Sequence, residues 1–368
     1  MAILVLNPGS TTLKASLIHD DGTVSSYPTI ETWDLGAAAR GLLAELDPSV
    51  TAIGCRVVHG GRNFTEPTLV TPDVICTIEA LGELAPLHNY GAAAVLKACL
   101  ELAPNLPTVA VFDTAFHAHL PAVAHTYALP YELTEREGIV RYGFHGVAHE
   151  STSKTLAKLL LEEGKSEKRI ITCHLGGGDS LCAILDGKSV DTTMGFTPLE
   201  GVMMATRSGD IDPDILFFLT NKGWDTQHLQ HMLNSESGLL GVSGLSVDPR
   251  VLIEASSQGN ERATLAIDLF TYRISKSIAA LSVPLSGIDG ISFSGGIGQH
   301  SAYIREKICQ PLSYLGIILD QTANYSGEFD HPVKLNSEQS SVSIWSVPSN
   351  EEQSIAQTVT QLLAPETH

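Results

Sequence analysis

The sequence predicts an α/β protein made of two like halves, on three observations. An order of strand, small-residue bend, strand and Asp-Gly turn runs from Ile3 to Gly22 and returns from Ile170 to Gly187. At 368 residues the chain exceeds one comfortable core, so two domains are expected. Apolar strands also run straight into small-residue bends at Asn7–Lys14, Gly176–Ser180 and Gly295–Gly298. Such bends can present backbone N–H groups to phosphate. One bend alone is more often a plain turn; three, each directly after an apolar strand, favour phosphate.

The elements follow in order. Strand Ile3–Leu6 ends at Asn7, and strand Leu13–Ile18 leads to Asp21-Gly22, a pair that favours tight hairpins. An alanine-rich helix is expected over Leu35–Leu46, and another over 90–103, stopped by Pro104. "TVAVFDTAF" reads as a buried strand with Asp113 at its end. "HESTSKTLAKLLLEEG" reads as a helix closed by Gly164. Strand Ile170–Cys173 reaches His174; a glycine bend, strand Leu181–Leu185 and the Asp186-Gly187 turn follow. A long helix over Glu261–Ala280, a strand "GISFSGGIG" and a helix over Ser301–Leu315 come next. The chain then runs through a strand "SIWSV" into a final helix opened by Asn350, where "NEEQ" offers a capping box. The expected domains are 1–148, with the helix of 350–368 packing back on it, and 149–349.

Composition narrows the function. Apolar residues make up 43% and charged residues 17%, a folded rather than disordered balance. A formal charge of −19 argues against nucleic acid or an anionic membrane as partner. Six cysteines without a CxxC pair read as buried reduced thiols. No apolar run approaches a membrane span, and the opening residues lack a basic stretch before an apolar one; a cytoplasmic location is the expectation.

An acidic protein that binds a small anion must concentrate positive charge locally. Arg56 sits in an apolar strand heading into "HGG", and Arg207 in the long irregular stretch "DTTMGFTPLEGVMMATRSGDIDPD". Each offers a planar fork for carboxylate or phosphate, though snorkelling to solvent or pairing with an acid such as Asp210 explains an isolated arginine equally. Of 14 histidines, His88, His145 and His174 sit at bends marked by glycine or proline and can donate to an oxyanion. His117-x-His119, His145-x3-His149 and His228-x2-His231 have spacings zinc can use, but no HExxH or third ligand accompanies them. Asp113, Glu351 and Glu352 are candidate magnesium ligands; acid preference in a helix's first turn accounts for the last two as well. Neither a Walker A nor a GxGxxG motif occurs.

Read in order, "NPGSTTLK", "CRVVHGG", "APLHN", "VFDTAFH", "YGFHG", "CHLGGGDS", "DTTMGFTPLEGVMMATRSGDIDP", "SGLLGVSG", "SGGIG" and "PSNEE" resemble the acetate kinase family from Asn7 to Glu352. "TMGFTPLEG…TRSGDIDP" is the most specific of these. The resemblance implies two duplicated actin-like (ribonuclease H-like) domains with a nucleotide cleft between them. It implies reversible transfer of a phosphoryl group between ATP and acetate, giving acetyl phosphate and ADP, with Mg²⁺ or Mn²⁺. By resemblance, Asn7, Ser10, Thr12 and Lys14 surround the moving phosphoryl, and Arg56 and Arg207 contact that group and the acyl substrate. His145 matches a transition-state stabiliser, and His88 and His174 line the site. Asp113 and Glu351 match carboxylates linked to catalysis and metal, with Asn7 beside the metal. Val58, Leu87, Phe144 and Pro198 match the acetate-methyl pocket. Gly176 and Gly178 belong to the second phosphate bend, and Gly295, Gly296, Ile297 and Gly298 match the adenosine segment. Homodimers are common in the family.

This sequence departs from the family pattern at Gly177 (usually Asn), at Gln299 and His300 (usually Glu and Asn), and at Ser349 (usually Thr). It is also short near residues 20–50. Propionate or another short-chain acid in place of acetate, and pyrophosphate in place of ATP, are the nearest alternatives; one methylene is worth only ~1–3 kcal/mol of discrimination. A nucleotide-gated binding module without catalysis would account for the phosphate bends but not for Arg56, Arg207 and an apolar pocket. A zinc hydrolase would rest on the histidine spacings alone.

Overall fold

The computed structural model describes residues 2–165 and 169–364. The chain forms two compact units and changes between them more than once. Met1–Ala118, Phe144–Ser151 and Asn350–His368 make the first, and His119–Gly143 with Thr152–Ser349 the second.

The first unit holds a seven-stranded sheet of β1 (Ala2–Pro8), β2 (Thr12–His19), β3 (Val24–Ser26), β4 (Ile30–Glu31), β5 (Val50–Val57), β6 (Thr68–Leu69) and β7 (Thr108–Phe112). Its order is β3-β2-β1-β5-β7-β6, with β4 paired to β2. The β1–β2 pair is antiparallel, β1–β5 and β5–β7 are parallel, and β6 closes the edge antiparallel to β7. Alternation along each strand splits the side chains between two faces. Leu4 and Leu6 join a core with Leu35, Ala39 and Leu43 of helix Leu35–Ala44 and Ala92, Val95, Leu96 and Cys99 of helix Asn89–Leu102. Val5 and Ala52 join the opposite core with Ile355, Ala356 and Val359 of the last helix, Glu351–Leu363.

The second unit repeats this plan. Its sheet consists of β8 (Arg169–His174), β9 (Ser180–Leu185), β10 (Lys188–Thr192), β11 (Gly290–Ser294), β12 (Val333–Lys334) and β13 (Ser343–Ser346), in the order β10-β9-β8-β11-β13-β12. Strand directions match those of the first sheet position by position. The repeated hairpin of the sequence is thus the start of a repeated sheet. Helix Glu261–Leu285 supplies the core here, burying Ala266, Phe270, Ile274 and Ile278 against Ile171, Cys173 and Ile291. No described helix is long and apolar enough to cross a membrane.

Several elements differ from expectation, each for a local reason. "GISFSGGIG" is not strand throughout: β11 stops at Ser294 and Gly295–His300 is helical, because Leu175 O accepts from Ile297 N and Gly298 N at 2.9 and 3.2 Å. The helix expected over Ser301–Leu315 is α-helical only from Ala302 to Cys309. It then tightens to a 3₁₀ segment, Gln310–Leu315, where Pro311 lacks the N–H an α-helix needs. Helix Glu261–Leu285 runs past Ala280 because Leu281 and Leu285 extend its buried stripe. The capping box at Asn350 does not form: that side chain makes no cap bond, and Gln353 Nε2 donates instead to Gly22 O at 3.3 Å. The two Asp-Gly turns also differ. At Asp186-Gly187 both residues have positive φ (46° and 78°), the two-residue hairpin geometry, whereas near Asp21 only Gly22 does, in a longer loop closed by His19 N to Thr23 O.

Candidate active site

In the first unit the opening hairpin is short because Gly9 N donates to Thr12 O at 2.7 Å, which turns the chain within Gly9–Thr12. Register places Asn7 opposite Lys14, so both stand on one face at the hairpin's end. Ser10 and Lys14 are exposed and Thr12 is half-buried, so polar groups and a cation ring the bend.

Arg56, near the end of β5, reaches that bend. Its Nη1 donates to Asn7 Oδ1 at 3.2 Å, while Nε and Nη2 grip Asp113 Oδ1 and Oδ2 at 3.0 and 2.5 Å. This is the two-pronged carboxylate geometry a guanidinium favours. Asp113 follows β7, which lies parallel to β5, so the sheet register itself brings residues 56 and 113 together. Burial pulls the Arg56 pKa down, and the carboxylates of Asp113, Glu351 and Glu352 more than offset it; the guanidinium stays charged. Asp113 is buried with both oxygens engaged by Arg56, so it orients that guanidinium.

His145 is joined to this group through the backbone. Gly146 N donates to Asp113 O at 3.1 Å at the start of helix Gly146–Glu162. A Cβ on Gly146 would lie 2.0 Å from that carbonyl oxygen, so only glycine allows this approach. His145, just before it, takes φ +57°, a left-handed conformation uncommon for a non-glycine residue and one that collects at functional sites. His117 serves differently. Its Nε2 lies 3.1 Å from Phe144 O, and burial draws its pKa down to about 4, against the opposing effects of that bond and of Asp113. It is a neutral packing histidine, in edge contact with the His149 ring. Among the described residues no cluster of three or more His, Cys, Asp or Glu is arranged to hold a metal, so the histidine spacings do not assemble a zinc site.

Of the four residues that the resemblance matches to an acetate-methyl pocket, Val58 and Phe144 are buried in this unit while Leu87 is 58% exposed; Pro198, in the second unit, is half-buried. His88 occupies the position just before helix Asn89–Leu102, where its side chain makes no cap bond. Glu351 begins the last helix. Burial raises its pKa, Asp113 and Glu352 add to the rise, and Arg56 and Lys14 oppose it.

Two residues beyond the expected set shape this site. Buried Asn89 accepts from His59 N at 3.2 Å and donates to His59 O at 2.9 Å, and Thr114 Oγ1 accepts from Gly60 N at 3.0 Å. Together they fix the bend after β5. Asn89 lies directly after "APLH" in the sequence, but nothing in its local pattern says that it reaches residue 59.

The second unit presents the other bends. His174 and Ser180 pair across the β8–β9 hairpin, and His174 Nδ1 lies 3.2 Å from Ser294 Oγ. Leu175 ties this bend to Gly295–Gly298: its N–H donates to Ser294 O at 2.9 Å, and its carbonyl receives the two amides described above. Gly176 therefore lies near Gly296: a Cβ on it would come 4.0 Å from Gly296 N. Gly176 N itself donates to Asp179 Oδ1 at 2.7 Å. Gln299, one of the departures from the family pattern, donates from Nε2 to Phe329 O.

Arg207 lies in the irregular stretch between Thr193 and Pro213. Its Nη1 has only long contacts, 3.4 Å to Pro198 O and 3.8 Å to Met204 Sδ, and burial lowers its pKa. The stretch is held by Glu200, which accepts from Arg141 Nη2 at 2.6 Å and from Tyr127, whose hydroxyl in turn accepts from Phe196 N at 2.7 Å.

Comparison with known proteins agrees in length and in kind. A family model described as the Acetokinase family matches residues 35–357. An acetate kinase of Halothermothrix orenii is 42% identical over 400 residues, covering 99% of this chain and 100% of that one. Among solved structures, an acetate kinase of Porphyromonas gingivalis superposes with a TM-score of 0.88 at 34% identity, covering 99% of this chain and 100% of that one. A propionate kinase of Francisella tularensis superposes with a TM-score of 0.88 at 37% identity, covering 97% and 98%.

Proposed function

Because the chain belongs to the acetokinase family, we propose that it transfers a phosphoryl group reversibly between ATP and acetate, forming acetyl phosphate and ADP. The observation that carries this reading is the Arg56 fork, which links the first hairpin through Asn7 to the strand-end carboxylate Asp113. A guanidinium so braced is oriented before substrate arrives, and that is what phosphoryl transfer asks of a protein.

The nucleophile is a carboxylate, ionised at neutral pH, so no general base is needed. One acetate oxygen forms a bond to the γ-phosphorus as the bond from that phosphorus to the ADP oxygen breaks. Negative charge spreads over the three equatorial oxygens of the moving group. Arg56, Arg207 and His145 neutralise it. Asn7, Ser10, Thr12 and Lys14 cradle the phosphoryl, and Asp113 positions Arg56. Val58, Leu87, Phe144 and Pro198 receive the acetate methyl. His88 and His174 line the site, while the Gly176–Gly178 and Gly295–Gly298 segments, with Ile297, hold the nucleotide.

A divalent cation fits the residues present. The oxygens of Asn7 and Glu351 suit a hard ion, and Asn7 Oδ1 retains acceptor capacity beyond its bond to Arg56. The crowding of Glu351 by Asp113 and Glu352 is the situation a cation relieves. Mg²⁺ typically takes one or two protein ligands and completes its shell with water and phosphate, in accord with so small a set. When bound, it neutralises charge on the phosphate chain.

The test is acyl-phosphate trapping as a hydroxamate, with ATP and each of acetate, propionate and butyrate, before and after chelation. Acetate turnover that disappears with chelator and returns with Mg²⁺ or Mn²⁺ is expected; no hydroxamate from any acid defeats the reading. Propionate is the second reading, favoured by the 37% identity to a solved propionate kinase. We further infer a cytoplasmic enzyme, supported by six cysteines without a CxxC pair, five of them buried.

A further inference from the structure

One buried acid beside the second phosphate bend has no role in the reaction above. Asp179 is 0% exposed; its Oδ1 accepts the Gly176 N–H at 2.7 Å, and its Oδ2 has no hydrogen-bond partner. The charged group whose field reaches it is Arg207, and Asp179 is the acid that acts on Arg207 in return. Arg207 has only long contacts of its own, so little besides this field competes with an incoming anion for it.

We propose that Asp179 is a positioning residue that holds the Gly176–Gly178 bend and sets the net charge Arg207 presents to substrate. The assignment rests on the kinase reading of Arg207. A buried carboxyl with one oxygen unpartnered is better accommodated with a proton on that oxygen, since a neutral acid costs less to desolvate than a carboxylate. Burial lifts the Asp179 pKa to about 8, with the Gly176 N–H and Arg207 opposing the rise. Below that value Asp179 is neutral and Arg207 offers a full positive charge. As pH rises through it the pair approaches zero net charge, and an anionic substrate is attracted less.

Folding stability depends on pH in the same direction. The folded-state pKa lies above the ordinary aspartate value of 3.8, so this group's contribution is full at low pH and is lost as pH climbs toward about 8. Asp179→Asn keeps an oxygen for the Gly176 N–H and cannot ionise. The experiment measures the KM for acetate, kcat and the melting temperature of both proteins from pH about 5 to about 9.5. In the wild type the KM for acetate is expected to rise at least about fivefold between pH about 7 and about 9.5, with D179N staying nearly flat. D179N should also gain melting temperature relative to wild type as pH rises.

A flat wild-type KM overturns the proposal, as does a D179N profile parallel to wild type. A merely structural role would lower the melting temperature at every pH and leave both KM profiles alike. If D179N does not fold, Asp179→Ser carries the same test; failure of both to fold overturns the assignment by making the carboxyl a folding requirement. Absence of hydroxamate at neutral pH would defeat the kinase reading instead, and the melting profiles would still report on Asp179.

Discussion

At the scale of single residues the two arginines are held in opposite ways. Arg56 is gripped by Asp113 and Asn7, so its direction is settled before any ligand binds. Arg207 touches one carbonyl and one thioether at long range. Removing a donor to transition-state charge typically costs about 10²–10³ in rate. Arg207→Ala should therefore lose at least about 10² in kcat with little change in melting temperature, because no strong contact depends on it. Steady-state kinetics beside a thermal melt reads both; wild-type turnover in the variant removes Arg207 from the site. Arg56 and Arg207 were visible in the sequence as cations in odd places. Their unequal restraint was not, because Asp113 lies 57 positions from Arg56 and only strand pairing makes them neighbours.

At the scale of elements, the last helix depends on a gap in the first sheet. Gly54 lies on β5 beneath Glu351–Leu363, and a Cβ there would sit 2.7 Å from Ile355 Cγ2 and 2.9 Å from Val359 Cγ2. Gly54→Ala must push the helix off the sheet, at a cost of about 1–3 kcal/mol for overpacking. That helix begins with Glu351, so the same shift displaces a proposed metal ligand. Denaturant unfolding should show the stability loss, and a Mg²⁺ titration of activity should show a higher half-saturating Mg²⁺ concentration; unchanged behaviour in both would mean that the helix seats elsewhere. Element type and order were legible from apolar runs, glycine stops and prolines. Boundaries were less so where tertiary bonds win. Leu175 O captures the amides that turn Gly295–His300 into helix, and Gln353 abandons a local cap for Gly22 O.

At the scale of the whole molecule, two sheets share one strand order and one set of strand directions. A duplicated plan explains why phosphate-type bends follow the first strand of each half. The family reading also implies a homodimer, and the second unit carries exposed apolar side chains, Ile215 at 43%, Phe217 at 66% and Phe218 at 59%. Solitary exposed apolar residues are ordinary, but a run of them in helix Asp214–Thr220 is the kind of surface a partner covers. Light scattering after gel filtration should give twice the 39.2 kDa chain mass. A monomer at micromolar concentration would refute the dimer.

The sequence by itself determined the α/β class, the internal repeat and the family, and it nominated the residues proposed for the site. Each of these is written locally, in hydrophobic period, turn chemistry and short motifs. Only the tertiary structure decided which oxygen holds which nitrogen: that Asp113 aims Arg56, that Asn89 pins the bend after β5, that Gly146 N reaches Asp113's carbonyl, and that buried Asp179 holds Gly176 N. Those facts depend on strand register and on burial. Both are set by how remote segments pack, and no local pattern encodes them.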